Sequence, residues 1–139
     1  MGFTLYLMPT SGQHFDSTVV REAFGVFLSH HQVGIGYVVR YDTENESTID
    51  LQETDDGGVE FVSVDRPCGD ERLFVALHRL LSSVPSFMTY PDEDLPCLVT
   101  TSESWEAVRE HHPEMEGGLK LCLTPKDLSS GFQPREPPN

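Results

Sequence analysis

Two segments near the middle of the chain alternate apolar and polar residues, with a short glycine-containing stretch between them. They read STIDLQE (47–53) and VEFVSVD (59–65), separated by DDGG (55–58). Such alternation is typical of half-buried β-strands, and adjacent Asp and Gly residues favour a hairpin turn. The preceding segment QVGIGYVVRY (32–41) is rich in the β-branched and aromatic residues that favour strands. Residues 33–64 therefore predict a three-stranded antiparallel meander.

Three further segments carry apolar residues at helical spacing. They predict a helix from about residue 17 to 30, a second over 71–84 and a third, short helix within SESWEAVREHH (102–112). Polar residues precede each segment, where a side chain can accept a hydrogen bond from the first free backbone N–H groups. The expected caps are Asp16 or Ser17, Asp70, and Thr100 with Glu103 at capping-box spacing.

Three short apolar segments complete the predicted strands: 3–8, CLVTT (97–101) and GLKLCLT (118–124). The resulting order, β-α-β-β-β-α-β-α-β, predicts an α+β fold. We expect one mixed, mostly antiparallel sheet of about six strands with three helices packed on it, and a parallel crossover in the last strand–helix–strand unit. Residues 1–124 would form this single domain, and the segment 125–139, rich in Pro and Ser, a loose or draped tail.

The charge of the chain restricts its partners. Its 139 residues include 23 Asp plus Glu but only 9 Lys plus Arg, a formal net charge of -14. Such a protein repels nucleic acids and anionic membranes. A target for this charge would be cationic, either a basic protein surface or a metal ion. The alternative is that the charge serves solubility alone.

The chain has features of a cytoplasmic protein. No apolar run is long enough to cross a bilayer, and the first residues lack the basic region of a secretory signal. Three cysteines, Cys68, Cys97 and Cys122, are widely spaced. Cys97 and Cys122 lie within apolar runs and are expected to be buried thiols, which suits a reducing compartment.

The acidic residues are concentrated around the predicted hairpin. From Tyr41 to Asp65 the chain contains nine carboxylates and no Lys or Arg. A hairpin would place many of them on its solvent face, where their field would attract a basic partner. A solvated face without a binding role is the alternative. The carboxylates assigned to partner binding are Asp42, Glu44, Glu46, Asp50, Glu53, Asp55, Asp56 and Glu60.

A second candidate surface is the segment PSFMTYPDEDLP (85–96), predicted to be a loop. It sets aromatic residues beside carboxylates, a combination suited to an interface with a basic partner. A loop folded onto the core is the alternative. The residues assigned to partner binding here are Phe87, Tyr90, Asp92, Glu93 and Asp94.

Metal sites are not predicted. The segment 42–53 places acids near several ligand positions of an EF-hand calcium loop, but Ser47 stands where that loop needs Gly and the flanks are strand-like. The pairs His30–His31 and His111–His112 are expected to end helices, where imidazole interacts with the negative end of the helix dipole. An acidic metal-binding module remains the third hypothesis.

No catalytic constellation or cofactor motif is recognisable. Cys68 is the best nucleophile candidate, because it precedes a predicted helix N-terminus. Asp65, Asp70 and Glu71 oppose its activation, and no histidine lies close in sequence. The second hypothesis for function is therefore a small enzyme or ligand-binding domain that uses Cys68 or an unrecognised cleft.

In size, acidity and α+β organisation the chain resembles the immunity proteins that bacteria make against secreted toxins. The resemblance includes no shared motif, so no residue is carried over from that family. It implies a non-enzymatic binding protein whose acidic surface occludes the active site of a basic toxin that acts on nucleic acid or nucleotides. The implied complex is one-to-one and steered by charge.

Overall fold

The predicted strands assemble into a single mixed sheet in a computed structural model of the chain, which describes residues 4–30, 36–89 and 96–130. The strands in this part of the chain are β1 (Thr4–Pro9), β2 (Phe15–Asp16), β3 (Leu28–His30), β4 (Tyr37–Arg40), β5 (Glu46–Glu53), β6 (Gly58–Asp65), β7 (Ser86–Thr89), β8 (Cys97–Val99) and β9 (Leu119–Leu121). The helices are α1 (Ser17–Phe24), α2 (Glu71–Ser83), α3 (Ser102–His111) and α4 (Pro125–Ser130), with 3₁₀ turns at Gly25–Phe27 and Pro113–Gly118.

The sheet has the order β3-β4-β5-β6-β1-β7-β8-β9, and β2 pairs with β6 beyond the end of β1. Neighbouring strands are antiparallel except β8 and β9, which are parallel and joined through α3. The α+β class, the antiparallel meander (β4, β5, β6) and the parallel crossover are therefore confirmed. The strands of the described residues outnumber the six that the sequence predicted.

One face of the sheet packs against α1, α2 and α4. Leu5 and Leu7 of β1 pair with Val64 and Val62 of β6, and all four are fully buried in this core. The apolar stripe of α2, including Leu77, fills the same cluster. Burial of large aliphatic side chains from the sheet and from the helices in this core is the main stabilising contribution to the fold.

The opposite face is covered at one end by α3. Phe87 of β7, Cys97 and Val99 of β8 and Val108 of α3 form a second buried cluster, against which Trp105 packs. The strand β7 is therefore buried on both faces, because Phe87 points to this cluster and Met88 to the larger core. Residues 86–89 are thus a strand, and the prediction that all of 85–96 is a loop was wrong.

The first helix is shorter than predicted. It ends at Phe24, and Gly25 adopts φ 62° while its N–H donates to the carbonyl oxygen of Arg21. Glycine adopts positive φ without steric cost, which makes it a common helix terminator. The chain then turns into β3, so His30 lies in a strand and the predicted helix-end role of His30 was wrong. His31 lies outside the described residues.

The helix caps follow the sequence with one shift. The carboxylates of Asp16 and Asp70 accept hydrogen bonds from the N–H groups of Thr18 and Arg72, as predicted for α1 and α2. In α3 the cap is Thr101 rather than Thr100, and its hydroxyl accepts from the N–H of Ser104.

The segment after Thr124 begins with a fourth helix. The Thr124 hydroxyl accepts from the N–H of Asp127, whose carboxylate in turn accepts from the N–H of Thr124. This reciprocal pair is a capping box with Asp at the third helical position. Leu128 is fully buried in the main core, where α4 packs on α2. Residues 131–139 lie outside the described part of the chain.

Candidate functional site

A four-stranded region of the sheet has one face without a helical cover among the described residues. On β1, β4, β5 and β6 the residues that alternate with the buried ones point away from the main core, and we call this surface the open face. Its members are Thr4, Tyr6 and Met8 on β1, Val38 and Arg40 on β4, Glu46, Thr48, Asp50 and Gln52 on β5, and Glu60, Phe61, Ser63 and Asp65 on β6.

Strand register fixes the neighbours on the open face. Asp50, Ser63 and Tyr6 lie side by side on three consecutive strands. Toward the turn between β4 and β5, the Thr4 hydroxyl donates to the carboxylate of Asp65 at 3.2 Å. An irregular register between Leu51 and Glu53 places one extra residue on β6, so that Glu60 and Phe61 both lie on this face.

The β5–β6 turn forms one acidic end of the sheet, the hairpin end, with Glu53, Asp55, Asp56 and Glu60. The Glu53 carboxylate pairs with the guanidinium of Arg21 at 3.2 Å. Asp56 accepts a hydrogen bond from the Thr54 hydroxyl, and this bond, with backbone N–H groups, lowers the pKa of the Asp56 carboxyl. Asp55 and Glu60 have no ion-pair partner in the described part of the chain. The hairpin end therefore keeps most of its charge unpaired.

A shallow hollow of about 210 Å³ lies beside this turn and is lined by His14, Phe15, Asp16, Asp56, Gly57 and Gly58. Gly57 has φ 86°, a conformation that L side chains rarely adopt. The hollow is open to solvent, which makes it a weak candidate for a small-molecule site, since such sites bury most of their ligand.

The turn between β4 and β5 forms the other acidic end, with Asp42, Glu44 and Glu46. The side-chain amide of Asn45 and backbone N–H groups donate to Asp42, and these bonds lower the pKa of its carboxyl. Cations neutralise part of the charge here, because Arg72 lies 3.6 Å from Asp42 and Arg40 lies 2.9 Å from Glu46.

The two acidic ends are separated by the length of β5. Seven residue steps from Glu46 to Glu53 at a rise of about 3.3 Å correspond to about 23 Å. This spacing exceeds the Debye length of about 8 Å at physiological salt. The carboxylates predicted to share one surface are all exposed. They form two groups whose electrostatic fields overlap little at physiological salt, and Asp50 lies between the two groups on the open face.

Of the five residues assigned to the predicted aromatic surface of residues 85–96, the structure describes Phe87 alone. Phe87 is only 2% exposed, because its ring packs in the second core with its centroid 5.2 Å from that of His112. Its assignment to partner binding was therefore wrong. Tyr90, Asp92, Glu93 and Asp94 lie outside the described residues.

Sequence reasoning missed the exposed apolar residues of the open face. Tyr6 is 37% and Met8 is 41% exposed, although both lie on a central strand. The signal was present in the segment TLYLM (4–8), where Leu5 and Leu7 alternate with Tyr6 and Met8. As a plain apolar run, the segment predicts a strand but not which of its side chains are exposed.

In the described structure no hydrogen bond joins Cys68 to a histidine. The Cys68 backbone N–H donates to the hydroxyl of Ser47 at 2.9 Å, which fixes the chain ahead of α2. His78 instead lies with Nε2 3.1 Å from the carbonyl oxygen of Cys122. Nearby, the Tyr41 hydroxyl is buried without a hydrogen-bond partner in the described structure, and burial raises its pKa.

The three free thiols are expected to react at different rates. Burial raises the pKa of Cys97 to about 12, and burial with the nearby Asp127 carboxylate raises that of Cys122 to about 11. The thiolate is the reactive form, so at pH 8 a maleimide should label only half-buried Cys68 rapidly. Intact-mass measurement should show one added label before denaturation and three after it, and Cys68→Ser should remove the rapid label. Fast labelling at two sites would contradict the described burial.

Metal binding finds no support in the geometry of residues 4–30, 36–89 and 96–130. Within these ranges no group of three or more His, Cys, Asp or Glu side chains is arranged to hold a metal ion. The segment 42–53, considered above as a calcium loop, forms a turn followed by β5. His111 ends α3 and His112 is its C-cap, as the sequence predicted for this pair.

The part of the chain that the structure describes contains no helix that is both long and apolar enough to span a membrane. Comparison with protein-family models, with curated proteins and with solved structures gave no match for this chain.

Proposed function

We propose that this protein is an acidic, cytoplasmic, non-enzymatic binding protein that neutralises a basic protein partner. In this proposal it acts as an immunity protein, which occludes the active site of a toxin that acts on nucleic acid or nucleotides. The net charge of -14 supports a cationic partner. Toxins that act on nucleic acids need basic clefts to hold phosphate groups, and an acidic protein surface complements such a cleft.

The observation that carries the proposal is the set of exposed carboxylates without a cationic partner. In the described structure Asp50, Asp55 and Glu60 are exposed and form no ion pair, whereas Glu46 and Glu53 pair with arginines. An excess of unpaired carboxylates destabilises the compact state through self-repulsion. The field of these unpaired carboxylates also accelerates encounter with a basic protein. Residues that destabilise the fold would in this way serve partner binding.

Charge reversal at the hairpin end tests the proposal. Native mass spectrometry of the protein purified from its source would identify a basic partner in a one-to-one complex, whose activity the protein should block at equal stoichiometry. Stopped-flow measurement should then show that the double variant Asp55→Lys, Glu60→Lys associates about tenfold more slowly at low salt. Its rate should also depend less on ionic strength. These two residues are chosen because neither holds the turn or pairs with Arg21.

A matched control is the double variant Glu110→Lys, Glu114→Lys, which makes the same change in net charge. Both residues are exposed, and they lie at the end of α3 and in the following 3₁₀ turn. We expect this control to change the association rate less than twofold. Equal slowing in both variants would mean that only total charge matters. A purified protein that carries no basic partner, and an activity abolished by Cys68→Ser, would support the enzyme hypothesis instead.

A further inference from the structure

The open face has an apolar patch at its β1 edge, which is unusual for the solvated side of an antiparallel sheet. Tyr6 and Met8 are adjacent outward positions on β1, and Phe61 lies on the neighbouring strand β6. Phe61 is half-buried, yet it belongs to neither buried core cluster. Exposed aromatic and methionine side chains on a rigid strand are typical anchors of protein interfaces.

Carboxylates lie beside this apolar patch on one side only, on β6 and β5, because its other neighbouring strand is β7. The open face carries four of them, Glu46, Asp50, Glu60 and Asp65, and one guanidinium, that of Arg40. The Arg40 guanidinium pairs with Glu46. The remaining carboxylates, Asp50, Glu60 and Asp65, leave an excess of negative charge on β5 and β6, to one side of the apolar patch. An apolar patch with carboxylates on the strands beside it complements a segment that carries Lys or Arg next to an apolar residue.

The position of β1 restricts how an occupant can bind. Hydrogen bonds to β6 and β7 already occupy both of its edges, so a partner cannot extend the sheet beside Tyr6 and must lie across its face. A second copy of this chain is disfavoured as the occupant, because two identical acidic faces would repel each other.

We propose that the open face is a docking surface for a basic, amphipathic protein segment that lies across β1 and β6 and contacts Tyr6 and Met8. This inference rests on the proposed function, since it takes the partner to be basic. It goes further in naming the centre of the interface and in requiring apolar residues as well as positive charge in the partner.

Synthetic peptides test the chemistry of this surface directly. The probes are a short amphipathic peptide of leucine and lysine, a matched peptide of serine and lysine, and a matched peptide of leucine and glutamate. Amide shifts in two-dimensional NMR should show that the leucine–lysine peptide perturbs β1 and β6 around Tyr6, Met8 and Phe61. The serine–lysine peptide should bind at least fivefold more weakly, and the leucine–glutamate peptide should not bind.

Variants provide the second arm of the test. The double variant Tyr6→Ala, Met8→Ala should weaken binding of the leucine–lysine peptide about tenfold, as removal of interface anchors does. The control Val26→Ala, Leu123→Ala removes apolar side chains that are 94% and 67% exposed elsewhere, and it should bind as the unmodified protein does. Circular dichroism of each variant establishes that the fold is retained.

Three results would overturn the inference: peptide shifts confined to the hairpin end, unchanged affinity of the Tyr6 and Met8 variant, or a dimer in sedimentation that this variant disrupts. Failure here is distinguishable from failure of the proposed function. If a natural basic partner is found and its binding is sensitive to Asp55→Lys, Glu60→Lys but not to Tyr6→Ala, Met8→Ala, the function stands and the docking surface does not.

Discussion

Replacing Leu128 by alanine is expected to lower the free energy of unfolding by about 3 kcal/mol, because removing a buried leucine side chain loses its apolar contacts and leaves a cavity. Leu128 is fully buried where α4 packs on α2. Urea denaturation followed by circular dichroism would measure the change. A loss of this size is a large fraction of the total stability of a domain.

The matched control is Leu123→Ala, because Leu123 is 67% exposed and its loss should change stability by less than about 0.5 kcal/mol. Deletion of residues 125–139 tests the same feature without relying on one side chain. If the domain ended at residue 124, the deletion would have no effect on unfolding, whereas the burial of Leu128 predicts a loss at least as large as that of Leu128→Ala. Equal stability of the two leucine variants would contradict the docking of α4.

Phe15→Ala is expected to lower the free energy of unfolding further, by about 4 kcal/mol, which is within the usual range for a buried phenylalanine. Phe15 is fully buried in the main core, and its strand β2 has only two residues, of which Phe15 pairs with Val59. The backbone that follows Phe15 has little freedom to close the cavity, because Asp16 caps α1 and the N–H of Ser17 donates to the carbonyl oxygen of Gly57. Urea denaturation is again the measurement.

His14→Ala serves as the control for Phe15, since His14 is the preceding residue and is exposed. Its removal should change stability by less than about 0.5 kcal/mol. Asp16→Ala provides an intermediate case, because loss of a helix cap costs about 1 kcal/mol. An order of losses other than Phe15, Asp16, His14 would show that β2 does not anchor this part of the sheet.

The sequence predicted the elements that have one buried face. The alternation in β5 and β6 and the leucine spacing in α2 each matched the periodicity of a half-buried element. The strand β7 was missed because Phe87 and Met88 enter cores on opposite faces, so that its apolar residues are consecutive and give no period. The helix α4 was missed although Thr124 and Asp127 have capping-box spacing, because the prolines and serines of this segment are typical of a loose tail.

The candidate site was predictable by residue type but not by arrangement. The acidic residues of the hairpin are exposed as expected. The sequence does not show that Glu53 forms an ion pair with Arg21 of α1, or that Asp42 forms one with Arg72 of α2. The sequence also does not show where strand pairing of β5 begins and ends, which sets the distance between the two acidic ends. The apolar patch at Tyr6 and Met8 depends on which face the helices leave uncovered, which is a property of the tertiary structure.

The central place of β1 has a consequence for how the chain reaches its native state. Thr4 pairs with Asp65, 61 residues later, and Tyr6 pairs with Thr89 on the other side. Closing such long loops costs entropy before the contacts reward it, and domains dominated by such pairings fold in milliseconds to seconds rather than microseconds. During synthesis, the edge of β1 that pairs with β7 therefore stays unpaired until residues 86–89 have left the ribosome.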